Sequence, residues 1–144
     1  MTSFEIVEKE LSYAIMQTVY EVHNQLGPGF LESIYEEAMA CELSARSMEF
    51  ERQKRVAVLY KGEVIGDHVL DFVVNRRVVL ELKTIAEISR VHEQQALSYL
   101  KATDLPLVIV VNFASERVQF SHIVNTKGKA ILPSDKPRTR FIKK

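Results

Sequence analysis

Two acids and a lysine, Asp71, Glu81 and Lys83, stand inside runs of strongly apolar sequence. Gly66 to Val74 and Val78 to Thr84 read as adjacent β-strands, rich in Val, Leu and Phe. Burying one charge costs on the order of several kcal/mol unless it is paired or binds a metal. Two carboxylates and an ammonium on one sheet face answer that cost in one of two ways. They close into an ion network, or they hold a divalent cation with the lysine beside it. The second arrangement suits phosphodiester hydrolysis, because the ester is already negative. A cation neutralises it, polarises its oxygen and lowers the pKa of a bound water. Mg²⁺, or Mn²⁺ in its place, suits oxygen ligands, and Mg²⁺ typically takes one or two carboxylates with its waters. Asp71 and Glu81 supply such oxygens, the Leu82 carbonyl is a further candidate, and Lys83 is placed to orient or deprotonate the attacking water.

If Asn75, Arg76 and Arg77 form the hairpin loop, Asp71 faces Glu81 across the ladder. Side chains alternate along a strand, so Lys83 joins Glu81 on that face. The opposite face then carries Leu70, Phe72, Val74, Val78, Leu80 and Leu82, all apolar and expected in the core. A slip of one residue would spoil this sorting.

Around the hairpin, residues 4–26 are expected to form a helix, with Leu11, Ile15, Val19, Val22 and Leu26 as its apolar stripe and Gly27 as its stop. A second helix is expected over 31–47, its inner face Leu31, Ile34, Tyr35, Ala38 and Met39. Arg52 to Tyr60 reads as a strand and Lys61 to Glu63 as a turn. A third helix spans 89–103 with Ser89 as a candidate N-cap. Leu107 to Val111 reads as a central strand covered on both faces, and Val118 to Ile123 as one more. The order α-α-β-β-β-α-β-β gives a mixed β-sheet with flanking helices, in the α+β or α/β class.

At 144 residues, 47% hydrophobic and 26% charged, the chain fits one globular domain. It has no run near the roughly 20 apolar residues that span a bilayer, and its acidic, amphipathic first ten residues are unlike a secretion signal. The expectation is a cytoplasmic protein with no membrane partner. The single cysteine, Cys41, excludes an internal disulfide and is expected to be a buried thiol. Residues 126–144 hold seven Lys/Arg against Asp135, whereas residues 1–125 carry a net charge of −6. The chain therefore divides into a domain over 1–125 and a basic, solvated tail over 126–144.

Gly29, Phe30, Leu31, Glu32, Ser33, Ile34 and Tyr35 resemble the signature of the GxxExxY family, within the PD-(D/E)XK nuclease-like superfamily. The resemblance spans roughly residues 5 to 125. It takes in Leu26 to Gly29, Asp71, Glu81-Leu82-Lys83, His92 to Gln95, Tyr99 to Lys101, and Val111-Asn112-Phe113. It implies a restriction-endonuclease-like core. It implies Glu32 as the acid of the core's first helix, Asp71 and Glu81 as strand metal ligands, and Lys83 as the catalytic lysine. Gln95 and Tyr99 are similar to the Gln-x-x-x-Tyr motif of the exonuclease branch. The chain departs from the pattern at Val69, where family members often carry a phosphate-facing arginine.

The sequence thus points to a Mg²⁺- or Mn²⁺-dependent nuclease acting on nucleic acid, DNA ahead of RNA. The alternative is a catalytically silent nuclease-fold module that binds nucleic acid or protein. A homodimer paired through the first helix is a third reading. His92, three residues before Gln95, is a candidate second donor beside the site. Lys54, Arg55, Arg76, Arg77, Arg90 and Lys101 are candidate phosphate contacts.

Overall fold

The computed structural model describes residues 7–125 and the backbone of 141–143. Helix α1 (Lys9–Leu26) buries Ile15, Met16, Val19 and Val22, the spacing that a 3.6-residue turn brings onto one face. It stops where the sequence indicated. Gly27 takes φ 70° and its N–H donates to the His23 carbonyl at 2.7 Å. The apolar stripe of α1 is used within the chain's own core.

Helix α2 (Glu32–Ala45) is narrower in its contact than expected. It buries Tyr35, Met39 and Leu43, one row at four-residue steps, while Leu31 is 74% and Ile34 42% exposed. Cys41 is exposed, not buried. At about 100° per residue it points roughly 200° away from Met39, off the row that touches the sheet.

The strands are β1 (Phe50–Tyr60), β2 (Glu63–Val74), β3 (Val78–Lys83), β4 (Leu107–Asn112), β5 (Val118–Val124) and β6 (Phe141–Lys143), with α3 (Arg90–Thr103) between β3 and β4. They form one sheet in sequence order. Every neighbouring pair is antiparallel except β3 with β4, whose helical connection lets them run parallel. This is the expected mixed sheet with flanking helices, extended by β6. That short strand falls in the segment its charge suggested was a solvated tail. Residues 126–140 and 144, and the start of the first helix over 4–6, lie outside the described residues.

Two apolar layers sandwich the sheet. On one side α1 and α2 pack on Phe72, Val74, Val78, Leu80, Leu82, Ile109 and Val111. On the other, Ala96, Tyr99 and Leu100 of α3 pack with Leu70, Val73, Val79, Val108 and Val110. All six residues of β4 are buried, as a strand covered on both faces must be.

Five of the six residues assigned to one face of the hairpin lie beneath α1 and α2. Leu70 does not: it packs under α3. The same exchange occurs on β1, where Phe50 packs on the α1/α2 side and Val56 on the α3 side. The pairing of β1 with β2 keeps its register through this region, Arg52 with Phe72 and Lys54 with Leu70. Both strands therefore cross over together, at Gln53 and Asp71. The cause lies in the backbone, because Gln53 takes φ 48°, outside the strand region. Beyond the crossover the hairpin runs on to a turn at Lys61 and Gly62, with Leu59, Tyr60, Val64 and Ile65 exposed near its tip.

Candidate metal centre

The β2–β3 ladder runs from Val74 opposite Val78 to Phe72 opposite Leu80. Continued one step, that register sets Asp71 opposite Glu81, as the sequence indicated. Here the carboxylates take over from backbone pairing. The Asp71 N–H donates to Glu81 Oε2 and the Leu82 N–H donates to Asp71 Oδ2, both at 2.9 Å. Each acid thus holds the other strand's main chain. Lys83, one pleat beyond Glu81, turns instead to α3, where its Nζ lies 3.4 Å from Gln95 Oε1. Among the described residues Lys83 makes no direct ion pair with either acid, but its charge favours the ionised form of both.

The electrostatics agree with a site short of positive charge. Burial pushes the Glu81 carboxyl well above the usual carboxylate range, and the nearby Asp71 charge pushes it further. Asp71 is also raised, first by burial and then by Glu36, against the Leu82 N–H and Lys83 that favour its ionised form. Glu32, at the first turn of α2, is raised by burial and by Asp71. Two buried acids this close resist ionising together.

The donor set fits a hard divalent ion of the Mg²⁺ kind, which accepts one or two carboxylates and keeps waters for the rest. It does not fit an all-protein cage. Among the described residues no three or more His, Cys, Asp or Glu side chains converge as a metal-holding group. Glu32 is coupled to the pair through its charge and stands on the helix edge facing it, open to solvent. The Leu82 side chain is buried in the core, so only its main chain faces the site.

Gln95 and Tyr99 share a face of α3, as their four-residue spacing requires. Tyr99 is buried and edge-on to His68, at 4.7 Å between ring centroids. Its phenol is pushed up by burial and by the charges of Glu81 and Asp71, so it stays protonated at neutral pH. His92 has another task. The Ser89 N–H donates to His92 Nδ1 at 2.9 Å, which completes a capping box at the start of α3. Tyr35 is the packing residue its position suggested. It stacks on Phe113 at 4.4 Å, and its hydroxyl bonds the Gly27 carbonyl and the Phe30 N–H, fastening the loop that enters α2. Of the basic candidates, Lys54 pairs with Glu51, Arg55 with Asp67, Arg76 with Glu49 and Arg77 with Glu8 at the surface.

Sequence reasoning missed two features. Glu36, one turn after Glu32, also turns toward the site, where it accepts from Arg52 at 3.0 Å and from Gln53 Nε2 at 3.0 Å. The i, i+4 step from Glu32 was the available signal. Asn112 and Gln119 clamp the connection between β3 and α3. Asn112 Oδ1 accepts from the Ile85 N–H at 3.1 Å, and its Nδ2 donates to the Ile85 carbonyl at 2.9 Å. Gln119 Oε1 accepts from the Ile88 N–H at 2.9 Å. This buried network fixes where α3 begins, and so where Gln95 stands relative to Lys83.

No curated protein and no solved structure matches the chain. A sequence model of the PD-(D/E)XK nuclease superfamily matches residues 9–123, from the start of α1 into β5. Its nucleases generally use divalent metal ions. With that match over most of its length, the chain belongs to the PD-(D/E)XK nuclease superfamily.

Proposed function

We propose that this protein is a divalent-metal-dependent nuclease of the GxxExxY type, cytoplasmic, hydrolysing phosphodiester bonds in DNA ahead of RNA. One observation carries the reading. Asp71 and Glu81 form a cross-strand carboxylate pair, and Lys83 stands beside it with its Nζ on Gln95. Asp71 and Glu81 would hold Mg²⁺ or Mn²⁺, with Glu32 and the Leu82 carbonyl as further oxygen donors. The ion would neutralise the scissile phosphate and acidify a water.

The chain's own groups do the rest. Lys83 Nζ orients the attacking water and stabilises the charge that develops on the phosphate. Gln95, at 3.4 Å, holds that ammonium in place. Tyr99, kept protonated, serves as a hydrogen-bond donor and not as a base. Glu32, open to solvent and raised in pKa, holds water at the outer side of the pair.

The test is cleavage of single-stranded, duplex and branched DNA and of RNA with Mg²⁺ or Mn²⁺. Lys83→Ala and Asp71→Ala should each lower the rate by at least about 10²-fold. Cleavage that survives both substitutions, or no cleavage of any substrate, overturns the reading. The engagement of Lys54, Arg55, Arg76 and Arg77 with acids favours a second reading, a module that binds without turnover. Calorimetric Mn²⁺ binding in the absence of cleavage would select it.

A further inference from the structure

Gln53 holds left-handed backbone, φ 48°, in the middle of β1. That conformation is costly for any residue with a Cβ and persists only where the surroundings impose it. No chain reversal requires it here. The strand continues to Tyr60, and β1 and β2 remain paired on both sides, Arg52 with Phe72 and Lys54 with Leu70. The missing rung between those two is Gln53 opposite Asp71. At this rung both strands exchange faces, so Asp71 sits where the ribbon crosses from one apolar layer to the other.

The Gln53 side chain does not hang free. Its Nε2 donates to Glu36 Oε1 at 3.0 Å. Glu36 is in turn held by Arg52, whose Nε and Nη2 both donate to its Oε2, at 3.3 Å and 3.0 Å. Asp71 stands opposite Gln53 at the open rung between the Arg52–Phe72 and Lys54–Leu70 pairs, which sets the same side chain beside its carboxylate. A primary amide suits this place. It offers two N–H donors without a charge, so with one on Glu36 it keeps a second for the neighbouring carboxylate and brings no cation of its own.

We infer that Gln53 is a positioning residue for Asp71: its left-handed backbone swings the aspartate across the ribbon, and its amide, anchored on Glu36, holds the carboxylate for the ion. The inference rests on the metal reading above. It extends the centre to a residue that neither the carboxylate spacing nor the lysine marks. Loss of a residue that orients a metal ligand typically weakens metal binding about 10–100-fold.

Glycine at this position separates positioning from general support of the fold. It removes the amide and also relieves the backbone, because glycine accepts positive φ. The experiment is calorimetric titration of the full chain with Mn²⁺, beside thermal unfolding, for the wild type, Gln53→Gly and Asp71→Asn. The expected result is Mn²⁺ binding by the wild type, none by Asp71→Asn, and about tenfold weaker binding by Gln53→Gly with an unchanged or higher Tm. If Gln53→Gly binds Mn²⁺ as the wild type does while Asp71→Asn does not, this inference is wrong and the metal reading stands. If weaker binding comes only with a lowered Tm, Gln53 is merely structural and the inference is again wrong. If the wild type binds no Mn²⁺, or Asp71→Asn binds it fully, the metal reading falls and takes this inference with it.

Discussion

The two halves of the β2–β3 hairpin obey different physics. In the inner half, Phe72, Val74, Val78 and Leu80 are fully buried and the backbone pairs carbonyl to N–H. In the outer half, beginning one residue on, the N–H groups of Asp71 and Leu82 go to carboxylates, and two acids are held where ionising both is unfavourable. The first half supplies stability and register, and the second spends some of that stability on a charged site. A register that apolar burial has already fixed lets the acids face each other without stabilising themselves. The largest expected effect is therefore in the half with no chemistry. Phe72→Ala should cost about 3–5 kcal/mol in urea unfolding, as fully buried aromatic truncations do. A loss under about 1 kcal/mol would mean that apolar burial does not anchor the site.

The outer half should show the opposite sign. Glu81 has a folded-state pKa raised above its ordinary 4.5, by burial first and by Asp71 second. Between those two values the folded state keeps a proton that the unfolded state has lost. Stability is then highest below about 4.5 and falls as pH rises toward the raised value. Asp71, raised from 3.8, adds to the same slope. Glu81→Gln should flatten much of that slope and stabilise the metal-free protein at pH 8, by on the order of 1 kcal/mol per pKa unit removed. It should also abolish the rise in Tm that Mn²⁺ is expected to give the wild type. A Glu81→Gln variant that loses stability as steeply as the wild type from pH 5 to pH 8 would break the comparison.

The inner half was the more legible of the two. Alternation in Phe72, Val74, Val78 and Leu80 is enough to set register, and register alone places Asp71 opposite Glu81. The crossover was not legible, because positive φ at Gln53 comes from tertiary constraint and no glycine marks it. Reading Leu70 with Phe72 assumed unbroken alternation, which held on each side of that point but not through it. Cys41 and Ile34 were misplaced for a simpler reason. α2 lays a single row on the sheet, and its remaining apolar residues are a weak guide to its facing. Asn112 stood out only through resemblance. Its task of tying Ile85 to the end of β4 depends on a contact 27 residues away in sequence, which local pattern does not encode.

The smallest effect tests where the site ends along α3. His92 stands one turn before Gln95, and helical spacing alone would aim it at the same carboxylates. The structure commits its Nδ1 to the Ser89 N–H at 2.9 Å, with Ser89 Oγ at 3.0 Å from the same nitrogen. A ring held this way serves the first turn of the helix. His92→Ala should then cost about 1 kcal/mol, as lost helix caps do, and leave Mn²⁺ affinity and cleavage essentially unchanged. Gln95→Ala makes the contrast, since Gln95 touches Lys83 and no cap. It should slow cleavage with little loss of stability. If His92→Ala instead weakens Mn²⁺ binding while Tm holds, the histidine reaches the site through water, and the boundary between scaffold and chemistry lies a full turn earlier on α3 than its capping box suggests.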